Sequence, residues 1–231
     1  MHPSILGAGL CALAALLPAA AKPACPAATA ATLERIYSAD CPGCWAEAGP
    51  VAGHRATARP GWLFDWIVPA ASDAALAAGA LPESAERRLR LRPGSTAAAP
   101  DVPPALALLT PWRSLAAAGL QVQSGPAWHG YFGLELRLAG PARSRLPAGS
   151  TGWLALVEQV PAGSDGTAVA RALVRSLAGP LALDSGPRGQ PISHLRALRW
   201  PAGAEPTRLQ ARAWIEAPDG RLLLVVADRC P

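Results

Sequence analysis

The sequence predicts an α/β domain followed by a mostly antiparallel β module, α+β overall, and three observations carry that prediction. An apolar run, Leu33 to Tyr37, breaks at Ser38 to Asp40 and is followed by Cys41 and Cys44 with two residues between them; this order reads as strand, loop and the first turn of a helix. Prolines and small residues crowd the stretch from Pro93 to Pro111, which marks a long loop or domain connection. Beyond it Tyr131 to Leu138 alternates, with Leu134, Leu136 and Leu138 on one face and Glu135 and Arg137 on the other, as a half-buried strand does. The expected division is residues 1–21 as a signal peptide, 22–115 as the α/β domain and 116–231 as the β-rich module.

Ile5 to Ala21 is an apolar run ending in Ala19-Ala20-Ala21, the small-residue pattern cut by a signal peptidase, and it is short for a bilayer span. Export to a periplasmic or secreted, oxidising location is therefore expected. Cys25 lacks the small and branched neighbours of a lipid-modified cysteine. Cleavage after Ala21 removes Cys11 and leaves Cys25, Cys41, Cys44 and Cys230, an even set. A Cys25–Cys230 pair would join the ends of the mature chain and contribute roughly 5 kcal/mol by loop entropy. Cleavage after Ala30 would instead discard Cys25 and leave Cys230 unpaired.

About 210 mature residues suffice for one large domain or two small ones. Hydrophobic residues make up 51% and charged residues 16%, yet no run after the signal is long enough to cross a membrane, so a soluble, compact chain is expected. The net charge of +5 is carried by arginines scattered singly apart from the cluster Glu86 to Arg92, Lys22 being the only lysine. They form no basic stripe interleaved with aromatics, which argues against a nucleic-acid surface.

In chain order, Trp45 to Arg59 has helical length but contains Gly49, Pro50 and Gly53 and should bend or break. Trp62 to Val68 is aromatic and β-branched, the clearest strand of the first half. Ser72 or Asp73 caps an Ala- and Leu-rich helix through Ala80, and Glu83 to Arg90 continues beyond Leu81-Pro82. Strand, Cys-x-x-Cys helix, strand and helix imply a parallel strand pair. In the second half Trp153 to Val157 reads as a buried strand, and Arg208 to Glu216 turns through Pro218-Asp219-Gly220 into Arg221 to Val226 as a hairpin. Val169 to Leu177 fits either a helix or a strand.

The cysteine pair is the one constellation spaced for a recognised chemistry. A thiol at a helix start meets unpaired N–H groups that favour thiolate, the reactive form, and a second thiol one turn on can close a disulfide. Asp40 opposes this, because a nearby negative charge raises a thiol pKa. Pro42 suits the first helical position.

Ile36-Tyr37-Ser38-x-x-Cys41-x-x-Cys44, preceded by a strand and followed by Trp62 to Val68, resembles the thioredoxin-fold superfamily, and more narrowly an exported, uncharacterised thioredoxin-like family with a β-rich C-terminal region. Trp153 to Leu156, the Asp165-Gly166 turn with Ala172 to Arg175 after it, and the closing hairpin sit where that family has similar features. The departures are Pro42-Gly43 between the cysteines and Trp45-Ala46-Glu47 after them, where the family has serines and a Pro-rich helix start. The resemblance implies a thiol-disulfide oxidoreductase that needs no cofactor and takes protein thiols or disulfides as partners. Cys41 would be the nucleophile and Cys44 the resolving residue. It also implies a cis-proline against the cysteines, for which Pro100, Pro104 and Pro111 are candidates, Thr110-Pro111 first.

Other chemistries find little support. A metal site needs two further ligands near the thiols, and His54, His129 and His194 are isolated. No Gly-x-Ser-x-Gly elbow or phosphate-binding glycine fingerprint is present, and Gly163-Ser164-Asp165-Gly166 reads as a turn. The tryptophans suit a core or an inter-domain seam better than a ligand groove. Two functional readings stand: a thiol-disulfide oxidoreductase, or a non-enzymatic exported binding or assembly protein whose Cys41–Cys44 bond is structural.

Overall fold

Strands carry the chain in the computed structural model, which describes residues 30, 32–39, 41–46, 61–69, 105–109, 119–187, 189–200 and 202–229. Among these residues the order is β1 (Thr32–Ser38), α1 (Pro42–Ala46), β2 (Trp62–Val68), β3 (Ala105–Leu109), β4 (Leu120–Trp128), β5 (Tyr131–Leu138), α2 (Gly140–Arg143), β6 (Thr151–Val160), β7 (Arg171–Ala182), β8 (Ile192–Arg199), β9 (Leu209–Glu216) and β10 (Leu222–Ala227). A seven-stranded mixed sheet runs β10-β9-β6-β7-β2-β1-β3, and a three-stranded antiparallel sheet runs β4-β5-β8.

This architecture overturns the α/β thioredoxin-like expectation and the family resemblance that supported it. β1 and β2 do pair in parallel, from Thr32 opposite Trp62 to Ser38 opposite Val68. No α/β layer develops around them among the described residues, where the α-helices are the short α1 and α2. Antiparallel β3 flanks β1, and β2 meets β7 in parallel at Asp65 and Leu173, so the pair is absorbed into a largely antiparallel sheet. β3 also lies inside the stretch expected to be loop. The helices expected at residues 72–80 and 83–90, most of the one expected after Trp45, the signal peptide, Cys11, Cys25 and Cys230 all lie outside the described residues.

Of the ambiguous segment Val169 to Leu177, Arg171 onward is strand, with Arg171 to Val174 buried in succession. A strand covered on both faces loses its alternation and imitates the apolar run of a helix. The closing hairpin forms as expected, β9 against β10.

The three-stranded sheet covers one face of the large sheet. Leu134, Leu136 and Leu138 of β5 pack there with Leu154 and Leu156 of β6 and Ala213 and Ile215 of β9. The opposite face holds an aromatic layer of Trp62, Phe64, Trp66, Trp153 and Trp214. Trp153 and Trp214 are directly opposed across β6 and β9 and stack with planes 9° apart at 6.2 Å. Gly179 of β7 makes this layer possible: a Cβ there would stand 2.4 Å from the Trp153 ring, so only glycine admits the indole. Trp62, Trp66, Trp153 and Trp214 are thus core residues, the expected role, whereas Trp128 of β4 is exposed.

Candidate functional site

Cys41 and Cys44 form a disulfide, with Cα atoms 5.3 Å apart. β1 delivers the pair. Its ladder is extended by the Ala39 N–H, which donates to the Val68 carbonyl at 2.9 Å, and the chain then turns as the Cys41 N–H donates to the Ser38 carbonyl at 3.1 Å. Pro42 opens α1, where its missing N–H costs no helical bond. Both cysteines are half-buried, and Pro42 and Gly43 between them are exposed. The Cys44 N–H donates to Cys41 Sγ at 3.3 Å.

A five-residue helix cannot hold itself, so its far end is tied to the sheet. Trp45 is buried with Ala39, Ile67, Val160 and Leu173, and its indole N–H donates to the Asp165 carbonyl at 2.8 Å. The Ala46 carbonyl accepts the Ala168 N–H at 3.0 Å. Arg171, at the start of β7, donates to the Trp45 carbonyl at 2.6 Å and to the Cys44 carbonyl at 3.5 Å. These bonds satisfy carbonyls that a helix end leaves open.

Arg171 belongs to a buried polar cluster beneath α1. Its guanidinium lies between the rings of Tyr37 and Trp45, 4.9 and 5.1 Å from their centroids. It donates to the Tyr37 hydroxyl and, at 2.8 Å, to Thr167 Oγ1. Asp65, fully buried in β2, takes a bidentate pair from Arg35 at 2.5 and 2.7 Å, accepts the Ala172 N–H at 2.7 Å, and lies 3.7 Å from Arg171. One carboxylate thus serves two guanidiniums.

The energetics of this cluster follow from burial. Loss of water works to lower the Arg35 pKa, but the Asp65 hydrogen bond and charge outweigh it and the net shift is upward. For Arg171 burial dominates and the shift is downward, opposed by Tyr37 and Asp65. The Tyr37 hydroxyl is pushed up to about 12, chiefly by burial and then by the Asp65 charge. A cavity of about 400 Å³ lined by Val160, Ala170, Arg171, Arg208 and Leu209 opens beside the cluster. Arg208 is held by Asp165 at 2.6 Å.

Among the described residues the remaining sequence candidates do not join this site. His129 sits in the β4–β5 turn with φ 47°, and His194 lies against the Ala182 carbonyl at 2.7 Å, while His54 is outside the described residues. Among the described residues no cluster of His, Cys, Asp or Glu is arranged to hold a metal. Ser164 lies in a turn, its hydroxyl donating to the Pro161 carbonyl at 2.7 Å. Pro100, Pro104 and Pro111 lie outside the described residues. The cis peptide found among the described residues is Gly179–Pro180, toward the end of β7 away from Arg171 and the disulfide.

Sequence reasoning found both cysteines but not Arg35, Tyr37, Asp65 and Arg171 behind them. A signal existed: Asp65 interrupts Trp-Leu-Phe-Asp-Trp-Ile-Val, and a carboxylate inside such a strand needs a buried cation. Comparison of the chain with protein-family models, with curated proteins and with solved structures finds no match. The fold and site define a β-rich protein with a short disulfide mounted on a mixed sheet.

Proposed function

We propose that the protein is an exported thiol-disulfide oxidoreductase whose reactive group is the Cys41–Cys44 pair, carried on a β-rich scaffold. The observation that carries this reading is a half-buried disulfide beside the exposed Pro42-Gly43, with the Cys44 N–H directed at Cys41 Sγ. As a staple such a bond has little to do. Closing a loop of four residues constrains the unfolded chain by only about 2 kcal/mol, less than a long-loop bridge. Trp45, Arg171 and the Ala168 N–H already hold α1 to the sheet.

In exchange, a partner thiolate attacks Cys41 Sγ, the Cys41–Cys44 bond breaks, and Cys44 leaves as thiolate, giving a mixed disulfide. A second partner thiolate then attacks the partner sulfur and releases Cys41 as thiolate, so that two electrons have passed to the pair. The N–H directed at Cys41 Sγ favours its anionic form, and the Arg171 guanidinium at the Cys44 carbonyl favours negative charge at this turn. Export, expected from the apolar run Ile5 to Ala21, would place this chemistry in an oxidising space with protein thiols and disulfides as partners.

Equilibration against a glutathione or dithiothreitol series tests the reading. A reduction potential well above about −300 mV, with exchange abolished by Cys41→Ser, is expected. A potential below that value with slow exchange would identify a structural bridge and leave the binding or assembly protein as the reading.

A further inference from the structure

We propose that the outer face of the three-stranded sheet, at the β4–β5 turn, is a docking surface for an anionic lipid bilayer. The large hydrophobic side chains exposed among the described residues are Trp128 at 73%, Leu195 at 69% and Tyr131 at 48%. Sheet register puts all three on one face. Trp128 is directly opposed to Tyr131 across the His129-Gly130 turn, and opposed residues of an antiparallel pair share a face. Tyr131, Gly133 and Glu135 share that face by alternation, and Leu195 is opposed to Glu135 on the other side of β5. Gly133 and Ala197, opposed to each other, floor the space between, with a Leu195 methyl 4.0 Å from where a Gly133 Cβ would stand.

Isolated exposed apolar residues need no explanation, but a contiguous patch at a projecting tip does. The turn is held in the left-handed region at His129, φ 47°, and Gly130, φ 79°, and a Cβ built on Gly130 meets nothing within 4 Å. The tip therefore stands in open space. Trp128 is braced edge-on against the His129 ring at 4.9 Å.

Charge selects the occupant. Arg137 and Arg199 lie on the same face, and Arg196 is exposed on β8; the acid of that face, Glu135, is engaged by Ser193 at 2.5 Å and Arg137 at 3.7 Å. A second copy would bring like charges together across a twofold axis, which disfavours self-association. An acidic protein would also satisfy the arginines, and binding to polyglutamate without vesicles is its signature. Tryptophan and tyrosine at a projecting end, with Arg199 directly opposed to the tyrosine, suit the headgroup level of a bilayer, where indole and phenol rings partition and basic residues meet anionic lipid. The surface is separate from the disulfide, so its failure leaves the exchange reading untouched.

The test is co-sedimentation of the full chain with vesicles of phosphatidylglycerol and phosphatidylcholine in equal parts, against phosphatidylcholine alone and against soluble polyglutamate. Binding to the anionic vesicles that weakens with salt is expected, falling about tenfold in Trp128→Ala combined with Leu195→Ser. The wild-type minus Trp128→Ala fluorescence should shift to the blue on vesicles, isolating this indole from the buried ones. Both substitutions are at exposed positions, and an unchanged melting temperature verifies the fold. Equal binding by the double variant, equal binding to neutral vesicles, binding to polyglutamate without vesicles, or a dimer dissolved by Trp128→Ala would each overturn the proposal.

Discussion

One face of the seven-stranded sheet is filled by opposite means at its two ends. Over β6 and β9 it meets leucines of β5, and the layer is filled by apolar side chains. Over β1, β2 and the start of β7 it meets α1, and the contact is made through Arg35, Asp65, Arg171, Tyr37 and a ring of peptide carbonyls. Apolar contact is non-directional and tolerates rearrangement, whereas a carboxylate shared by two guanidiniums fixes where each group must stand. The fixed end is the one that carries the disulfide.

The largest effect should come from Asp65→Ala, which leaves two buried guanidiniums without their carboxylate and the Ala172 N–H without its acceptor. Denaturant unfolding should show a loss of about 3–5 kcal/mol, the range for a broken buried pair. A loss under about 1 kcal/mol, ordinary for exposed ion pairs, would erase the contrast between the two ends. Next comes Leu154→Ala in the leucine layer. Fully buried between the sheets, it should cost about 2–4 kcal/mol by the same measurement and leave thiol exchange unchanged. A change in exchange rate there would mean that the ends are coupled.

The smallest effect is that of Tyr37→Phe, which removes one hydrogen bond to Arg171 at about 1 kcal/mol. Its pH dependence is the sharper readout. The folded hydroxyl titrates at about 12, above its ordinary value of 10.0, so its contribution is complete below that ordinary value and is lost as pH rises through about 12. The stability difference between wild type and Tyr37→Phe should therefore shrink in that window. A difference constant up to pH about 12 would contradict the burial assigned to Tyr37.

The sequence made the second half legible because its strands are half-covered or closed by specific turns. Tyr131 to Leu138 alternates since the three-stranded sheet has one wet face, and Pro218-Asp219-Gly220 names its own turn. β4 and β8 went unread: β4 has a bulge between Ser124 and Ala127 that breaks its period, and β8 mixes exposed and buried positions at an edge. The first half misled for a different reason. A strand, a Cys-x-x-Cys turn and a second parallel strand are local features, and they are present. What the whole sheet becomes depends on β7, and no local pattern in Leu33 to Trp45 announces its arrival. The cysteines were found because spacing is local, and the second cation of the buried carboxylate was missed because Arg171 reaches Asp65 from more than a hundred residues away.

That distance has a kinetic consequence. Asp65 and Leu173 are neighbours in the finished sheet although most of a domain separates them along the chain, and such high contact order makes closure slow. The sulfur–sulfur bond, spanning a single turn, is free of that delay. Oxidation of the pair can thus precede the burial of Trp45 and the seating of Arg171, and the hydrogen bonds that tether α1 would be laid down around a bridge already made.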